Sequence, residues 1–239
     1  MKKAIKQLIK KIPVAFTKNQ QYDRQTKKII ARVCGPNTNC IDVGAHKGEV
    51  LDIMLKHSPK GVHYAFEPIP DLYKALVNKY AGNKYCKISN IALSNQKGTS
   101  TFNYVVSNPS YSGLVKRKYD RENEQDTSIT VETDTLDNLL PNDYKPGLIK
   151  IDVEGGEFLV LQGARETITK YKPYIIFEHG LGASDMYGTT PDKVYNLLHS
   201  CGLKISILKN WLNNKPALAL KEFEDIYKKN SEYYFIAHS

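Results

Sequence analysis

The stretch that decides the fold is Ile41-Asp42-Val43-Gly44-Ala45-His46-Lys47-Gly48-Glu49, where a short apolar run passes through glycines into a helical pattern. Apolar residues at 40–43 and helical periodicity over 48–57 predict a strand followed directly by a helix. Gly44 permits the sharp turn between them, and Gly48 lets the helix begin close beneath a ligand. Ligands of open α/β sheets bind beyond the carboxyl ends of such strands, so this turn is the first candidate binding loop.

Short apolar runs and helical periods continue to alternate along the chain. The pattern predicts helices over about 23–33, 48–57, 70–80, 157–171 and 191–200, and strands over 40–43, 62–66, 85–91, 148–153, 174–177, 203–208 and 233–237. Alternation at this spacing favours parallel strands with right-handed crossovers. The predicted fold is therefore an α/β, doubly wound sheet with helices on both faces.

Two segments depart from this rhythm. Residues 1–37 are predicted to form a basic helical leader, and residues 38–239 the main domain. Within that domain, residues 98–133 contain runs at 99–106 and 129–133 that alternate like strands. The sequence therefore predicts an inserted β segment, and its polar, tyrosine-containing loop suits a cap over a pocket.

The net charge of +9 belongs entirely to the beginning of the chain. Residues 1–33 hold ten Lys and Arg residues and one acid, whereas the remaining residues hold 24 basic and 24 acidic side chains. A protein that grips a phosphate backbone normally carries a basic face on its main domain, so we expect no nucleic-acid partner. Residues 1–12 read as an amphipathic helix that either packs on the core or makes peripheral contact with an anionic membrane.

The compartment is predicted from what the sequence lacks. No apolar run is long enough for a transmembrane helix, and none resembles a secretory signal. The cysteines show neither CxxC pairs nor zinc-finger spacing, so we expect reduced, buried thiols at Cys34, Cys40, Cys86 and Cys201. These features predict a cytoplasmic protein.

Polar residues at the ends of the first three strands define a candidate site. His46 stands where a dinucleotide-binding loop needs glycine, so the loop excludes a pyrophosphate and offers Asp42 to an ammonium group. Glu67 ends the second strand, where an acid accepts the hydroxyls of a ribose, unless it is an ordinary solvated glutamate. Asn90 can hydrogen-bond an adenine edge beside the small Ala92.

A ligand that has an amino-acid end, a ribose and a base would match these three groups of residues, and S-adenosylmethionine is such a ligand. The residues predicted to bind it are Asp42, Gly44, Ala45, His46, Gly48, Glu67, Asn90 and Ala92.

At this point the sequence resembles the FkbM-type family of S-adenosylmethionine-dependent O-methyltransferases. The resemblance rests on Asp42-Val43-Gly44-Ala45-His46-Lys47-Gly48, Phe66-Glu67-Pro68, Asn90-Ile91-Ala92-Leu93-Ser94, Val131-Glu132-Thr133-Asp134-Thr135-Leu136-Asp137 and Ile149-Lys150-Ile151-Asp152-Val153-Glu154-Gly155-Gly156-Glu157. One difference is His46, where the family typically has Asn. The resemblance implies a Rossmann-like class I methyltransferase fold and methyl transfer to a hydroxyl of a small acceptor, often a sugar or another natural product.

The catalytic candidates follow the fourth and fifth strands. Such an enzyme mainly aligns the donor with the acceptor, while a base takes the hydroxyl proton. Asp152, Glu178 and His179 are the predicted catalytic residues. His179 is the better base by its ordinary pKa, near ~6.5, and Asp152 is the better base by position. The structural alternatives are a helix cap for Asp152 and a satisfied polar residue at a strand end for His179.

Several alternatives stay open at this stage. We predict no bound metal, although Asp152, Glu154 and Glu178 carry the oxygen ligands that Mg²⁺ or Ca²⁺ uses. The leading interpretation is an enzyme that methylates a hydroxyl of a glycan or related metabolite, with residues 98–133 capping the acceptor. The competing interpretations are an RNA 2′-O-methyltransferase and a catalytically inactive binding module.

Overall fold

The computed structural model describes residues 17–117, 119 and 123–239 of the chain. The helices are α1 (Lys18–Val33), α2 (Glu49–His57), α3 (Pro70–Lys79), α4 (Leu136–Leu139), α5 (Glu157–Gln162), α6 (Arg165–Tyr171), α7 (Pro191–Ser200), α8 (Leu208–Leu212) and α9 (Leu220–Lys228). The strands are β1 (Asn39–Val43), β2 (His63–Phe66), β3 (Cys86–Ser89), β4 (Ala92–Leu93), β5 (Gly98–Val105), β6 (Asp126–Asp134), β7 (Pro146–Ile151), β8 (Tyr174–Glu178), β9 (Lys204–Ile207) and β10 (Tyr234–His238). The predicted amphipathic helix at 1–12 lies outside the described residues.

Seven strands form the main sheet, in the order β3-β2-β1-β7-β8-β10-β9. The five strands from β3 to β8 in this order run parallel, and β10 is antiparallel to both of its neighbours. The strand order reverses between β1 and β7, which is where ligands bind in doubly wound sheets. The predicted doubly wound fold is confirmed.

Helices cover both faces of this sheet because successive side chains of each buried strand point to opposite sides. On one face, Ile41 and Val43 pack with side chains of α5, α6, α7 and α9. On the other face, Cys40 packs with side chains of α1, α2, α3 and α8. Helix α1 is anchored there by the fully buried Ile29 and Ile30. Residues 18–33 of the predicted leader therefore pack into the core of the main domain.

The inserted segment forms a separate three-stranded sheet in the order β4-β6-β5. Strands β5 and β6 pair antiparallel along their whole length, and the short β4 pairs parallel with β6. Phe102 and Val131 pack with Ile69 and Ala92 in a small core of their own. The β character predicted for this segment is thus present, and β4 extends it toward the end of β3.

The single helix predicted over 157–171 is wrong in one respect, because the structure divides it into α5 and α6. At the junction, a Cβ on Gly163 would lie 2.1 Å from the carbonyl oxygen of Ser94. Glycine at this junction therefore allows the close approach of the backbone of Ser94, which directly follows β4. No helix within 17–117, 119 and 123–239 is long and apolar enough to cross a bilayer.

Candidate active site

The loop after β1 is held in a left-handed backbone conformation at three positions, Gly44, His46 and Gly48. A Cβ on Gly44 would lie 1.9 Å from the carbonyl oxygen of Asp152, so only glycine lets the loop press onto the end of β7. A Cβ on Gly48 would lie 2.4 Å from the hydroxyl of Tyr80. Gly48 therefore permits a close approach to the residue after α3, whereas the sequence predicted a close approach to a ligand.

Asp42 is the least satisfied acid in the site. Its side chain is 1% exposed, and neither carboxylate oxygen has a hydrogen-bond partner. Burial raises the pKa of Asp42 to about 6, although the neighbouring Lys150 ammonium opposes this shift. A buried carboxylate without a partner is costly, so this position favours a cationic ligand group. The ammonium at the amino-acid end of S-adenosylmethionine is such a group.

Glu67 connects the loop after β1 to the turn after β2. Its Oε2 accepts a hydrogen bond from the backbone N–H of His46 at 2.8 Å, and its Oε1 accepts one from Ile69 at 2.9 Å. Burial raises the pKa of Glu67 to about 7. Each carboxylate oxygen can accept a second hydrogen bond, so the geometry fits the two hydroxyls of a ribose.

Asn90 and Ala92 occupy different places in the structure, although both were predicted to contact an adenine. The Asn90 amide donates hydrogen bonds to the carbonyl oxygens of Glu67 and Pro68, at 2.8 and 2.9 Å. Asn90 therefore braces the turn that carries Glu67, and it does not line the cleft. Ala92 does line the cleft, beside Ile91 and Leu93.

A cleft of about 970 Å³ runs along the carboxyl ends of the parallel strands. This volume lies near the upper end of the range for small-molecule sites, ~300–1,000 Å³. The cleft walls bring together eight of the predicted site residues: Asp42, Gly44, Ala45, His46, Glu67, Ala92, Asp152 and Glu178. Gly48, Asn90 and His179 do not belong to the walls.

Asp152, directly after β7, is held by two donors. Its Oδ2 accepts hydrogen bonds from the Lys150 ammonium at 2.5 Å and from the Tyr234 hydroxyl at 2.7 Å. Burial opposes ionisation, but Lys150 and these hydrogen bonds outweigh it and hold the pKa of Asp152 below its usual range. Both bonds end on the same oxygen, so Oδ1 is available to a ligand.

Glu178 carries its proton at neutral pH. Burial and the nearby carboxylates of Asp152 and Glu157 raise the pKa of Glu178 to about 8. The two acids at the ends of β7 and β8 are therefore in different states at pH 7, one ionised and one neutral.

Glu154 is directed to the insert, where it forms an ion pair with Arg117. No group of three or more His, Cys, Asp or Glu side chains in the described part of the chain is arranged to hold a metal ion. The metal alternative therefore gains no support from the positions of Asp152, Glu154 and Glu178.

His179 does not reach the cleft, and its predicted role as the base is not supported. The side chain is 2% exposed, with its ring centre 4.8 Å from that of Tyr227 and 5.5 Å from that of Phe223. Burial lowers the pKa of His179 to about 4, so the imidazole is neutral at pH 7. The physical reason is strand alternation, because Glu178 faces the cleft and the next residue must point to the other side.

Among the other charged or polar residues of the cleft walls, Arg117, Lys150 and Tyr234 are the ones that act on Asp152. The position of Lys150 at the site could have been predicted from the sequence. A lysine inside the apolar run Ile149-Lys150-Ile151 is buried and needs a charged partner, and Asp152 lies on the same side of the strand two residues later. The positions of Arg117 and Tyr234 could not, because the insert and the antiparallel β10 bring them to the site through tertiary pairing.

Fold and site together define the class. The mainly parallel sheet, its strand order and its covering helices are those of a Rossmann-like class I methyltransferase. The sequence profile described as "Methyltransferase FkbM domain" matches residues 42–205, and the chain belongs to this family. Its cofactor is S-adenosylmethionine.

Solved structures agree with this fold. The methyltransferase FkbM from Methylobacillus flagellatus KT is similar with a TM-score of 0.54 and 15% identity, covering 85% of this chain and 44% of that one. The chain thus spans less than half the length of that protein. Weaker similarities connect it to precorrin-6y C5,15-methyltransferase from Geobacter metallireducens GS-15 (TM-score 0.42, 14% identity, 81% and 75% covered) and to the Methanococcus jannaschii fibrillarin pre-rRNA processing protein (0.46, 12%, 85% and 67%). No curated protein sequence matches the chain.

Proposed function

We propose that the protein transfers a methyl group from S-adenosylmethionine to a hydroxyl of a small acceptor, most simply a sugar or glycan. The observation that carries this proposal is the ionised Asp152 at the end of β7, whose Oδ2 is held by two donors while Oδ1 is available. A fixed carboxylate with one available oxygen is suited to accept the proton of a hydroxyl.

In this proposal the cofactor is held by residues of the first three strands. Asp42 would pair with its ammonium group, Glu67 would accept hydrogen bonds from its ribose hydroxyls, and Ala92 would contact its base. When bound, S-adenosylmethionine supplies a methyl group on a positively charged sulfur. The raised pKa values of Asp42 and Glu67 support this assignment, because an ammonium group would stabilise the ionised form of Asp42 and hydroxyl donors would stabilise that of Glu67.

Asp152 and Glu178 have different roles toward the acceptor: Asp152 is the base, and Glu178 orients the acceptor. Asp152 Oδ1 would accept a hydrogen bond from the acceptor hydroxyl and receive its proton as the new C–O bond forms and the bond between the methyl carbon and sulfur breaks, which leaves S-adenosylhomocysteine. Glu178, still protonated at pH 7, donates a hydrogen bond that orients the acceptor. The proton on Asp152 then passes to solvent through the open side of the cleft.

The walls beyond Asp152 support a sugar as the acceptor. Tyr111 of the insert and Tyr187 after β8 both line the cleft, and the Tyr187 hydroxyl accepts a hydrogen bond from the N–H of Val115. Tyrosines offer both an apolar face and a hydroxyl, which match the faces and hydroxyls of a sugar ring. We therefore propose that residues 98–133 cap the acceptor.

RNA is the second candidate acceptor. Residues 34–239 carry no net charge, and α1 adds five basic side chains and one acid, so the positive excess of the described residues is confined to one helix, which argues against a long phosphate backbone as the partner. The experiment is incubation with S-adenosylmethionine carrying a ¹³C-labelled methyl group and either a set of glycans or RNA, followed by mass spectrometry. We expect a gain of one methyl group on a glycan hydroxyl, which Asp152→Asn slows strongly while affinity for S-adenosylhomocysteine stays nearly unchanged. Methylation of RNA alone, with activity that falls steeply as salt rises, would contradict the proposal.

A further inference from the structure

We propose that helix α1 belongs to the catalytic apparatus: Tyr22 of α1 holds Tyr234 in position, and Tyr234 orients the Asp152 carboxylate. The inference rests on the proposed function, since it assigns positioning residues to the same base. Both tyrosines lie outside residues 42–205, which the family profile matches. The site of this chain therefore depends on elements before and after the matched domain.

The first contact of this relay is between Tyr234 and Asp152. Strand β10 is antiparallel to β8, so its first residue, Tyr234, pairs with Glu178 at the end of β8. This places the Tyr234 hydroxyl at the cleft, where it donates a hydrogen bond of 2.7 Å to Asp152 Oδ2. With Lys150 on the same oxygen, Tyr234 fixes the rotation of the carboxylate and thereby the direction of Oδ1.

The second contact is between Tyr22 and Tyr234. Tyr22 is 4% exposed, and its ring stacks on that of Tyr234 with the ring centres 5.0 Å apart and the planes at 29°. The Tyr22 hydroxyl donates a hydrogen bond to Glu232 and accepts one from the N–H of Tyr233. One side chain of α1 thus contacts the first residue of β10 and the two residues before it.

The other titratable or charged groups that interact with Asp152 are Asp42 on β1, His46 in the loop after β1, Lys150 on β7, Glu157 on α5, Glu178 on β8, Tyr234 on β10 and Arg117 in the insert. Of these, Tyr234 is the one that Tyr22 contacts. A change at Tyr22 therefore reaches Asp152 through Tyr234. This makes the relay separable from the direct effects of the charged neighbours.

The experiment is a titration of side-chain carboxyl groups by ¹³C NMR on the full chain without donor or acceptor, from pH 3 to 9. Asp152→Asn identifies the Asp152 signal. Tyr234→Phe removes a hydrogen bond to the ionised form, so we expect the pKa of Asp152 to rise by about one pH unit. Tyr22→Leu removes the stacking and should produce a rise in the same direction, whereas Tyr22→Phe keeps the ring and should restore the original pKa.

The matched control is Tyr233→Phe. It removes the hydroxyl that bonds to Asn19 and keeps the hydrogen bond between Tyr234 and Asp152, so the pKa of Asp152 should not change. If Tyr22→Leu does not fold, Tyr22→Met replaces it with a side chain of flexible shape. An unchanged Asp152 pKa in Tyr234→Phe, or in the folded Tyr22 variant, overturns the relay. Because no methyl transfer is measured, a wrong acceptor assignment cannot produce that result.

Discussion

Glu67→Gln tests the cofactor assignment most sharply, because the substitution changes one charge and almost no volume. Glu67 accepts two backbone hydrogen bonds, from His46 and Ile69, and in our proposal it also accepts hydrogen bonds from the two ribose hydroxyls. Glutamine keeps one acceptor oxygen but presents an amide donor in place of the other. A hydrogen bond to a charged group contributes about 1.5–3 kcal/mol, so the affinity should fall about 10- to 150-fold.

The assay is calorimetric titration with S-adenosylhomocysteine at pH 8, above the pKa of about 7 at which Glu67 loses its proton in the free protein. Asn90→Ala is the matched control, because Asn90 braces the same turn without lining the cleft. It should weaken binding much less. A folded Glu67→Gln protein with the original affinity at pH 8 would remove Glu67 from the site and refute the reasoning.

Four further outcomes are expected. Affinity for S-adenosylhomocysteine should rise with pH through about 6 as Asp42 ionises, and calorimetry on Asp42→Asn should show weaker binding without this rise. His179→Phe should leave that affinity unchanged, because the imidazole lies outside the cleft; a large loss would return His179 to the site. Burial raises the pKa of Glu157 to about 7, above its ordinary 4.5, so this group lowers the free energy of unfolding as pH rises from about 4.5 to about 7. Urea unfolding should show Glu157→Gln more stable than the original protein at pH 8 and little changed at pH 5, and equal stability at pH 8 would contradict this. Removing residues 1–12 should reduce cosedimentation with vesicles of anionic lipid, and a truncated protein that fails to fold would favour core packing instead.

The fold was predictable because its signal is local. Each parallel strand is a short apolar run, and each crossover is a helix of ordinary length, so alternation alone indicated the doubly wound sheet. The acids Asp42, Glu67 and Asp152 were predictable for a related reason: Glu67 and Asp152 directly follow the last apolar residue of their strands, and Asp42 interrupts the apolar run of β1 one residue before its end. The carboxyl ends of parallel strands meet at one edge of the sheet, and the cleft brings these three residues together.

The remaining features depend on tertiary placement or on a single step of register. His179 and Glu178 are neighbours in sequence, and the alternation of a strand sends one into the core and the other into the cleft. Tyr22 and Tyr234 are 212 positions apart, and no local pattern connects the first described helix with the last strand. The division between α5 and α6 lies at Gly163, where the backbone of Ser94, a residue of another segment, approaches closely.

The decisive observation is the position of S-adenosylhomocysteine in a crystal structure of its complex with the protein. We expect the nucleoside in the cleft after β1, with its ammonium group beside Asp42 and its ribose hydroxyls within about 3.2 Å of the Glu67 carboxylate. A nucleoside bound elsewhere, or one whose ribose does not touch Glu67, would contradict this expectation.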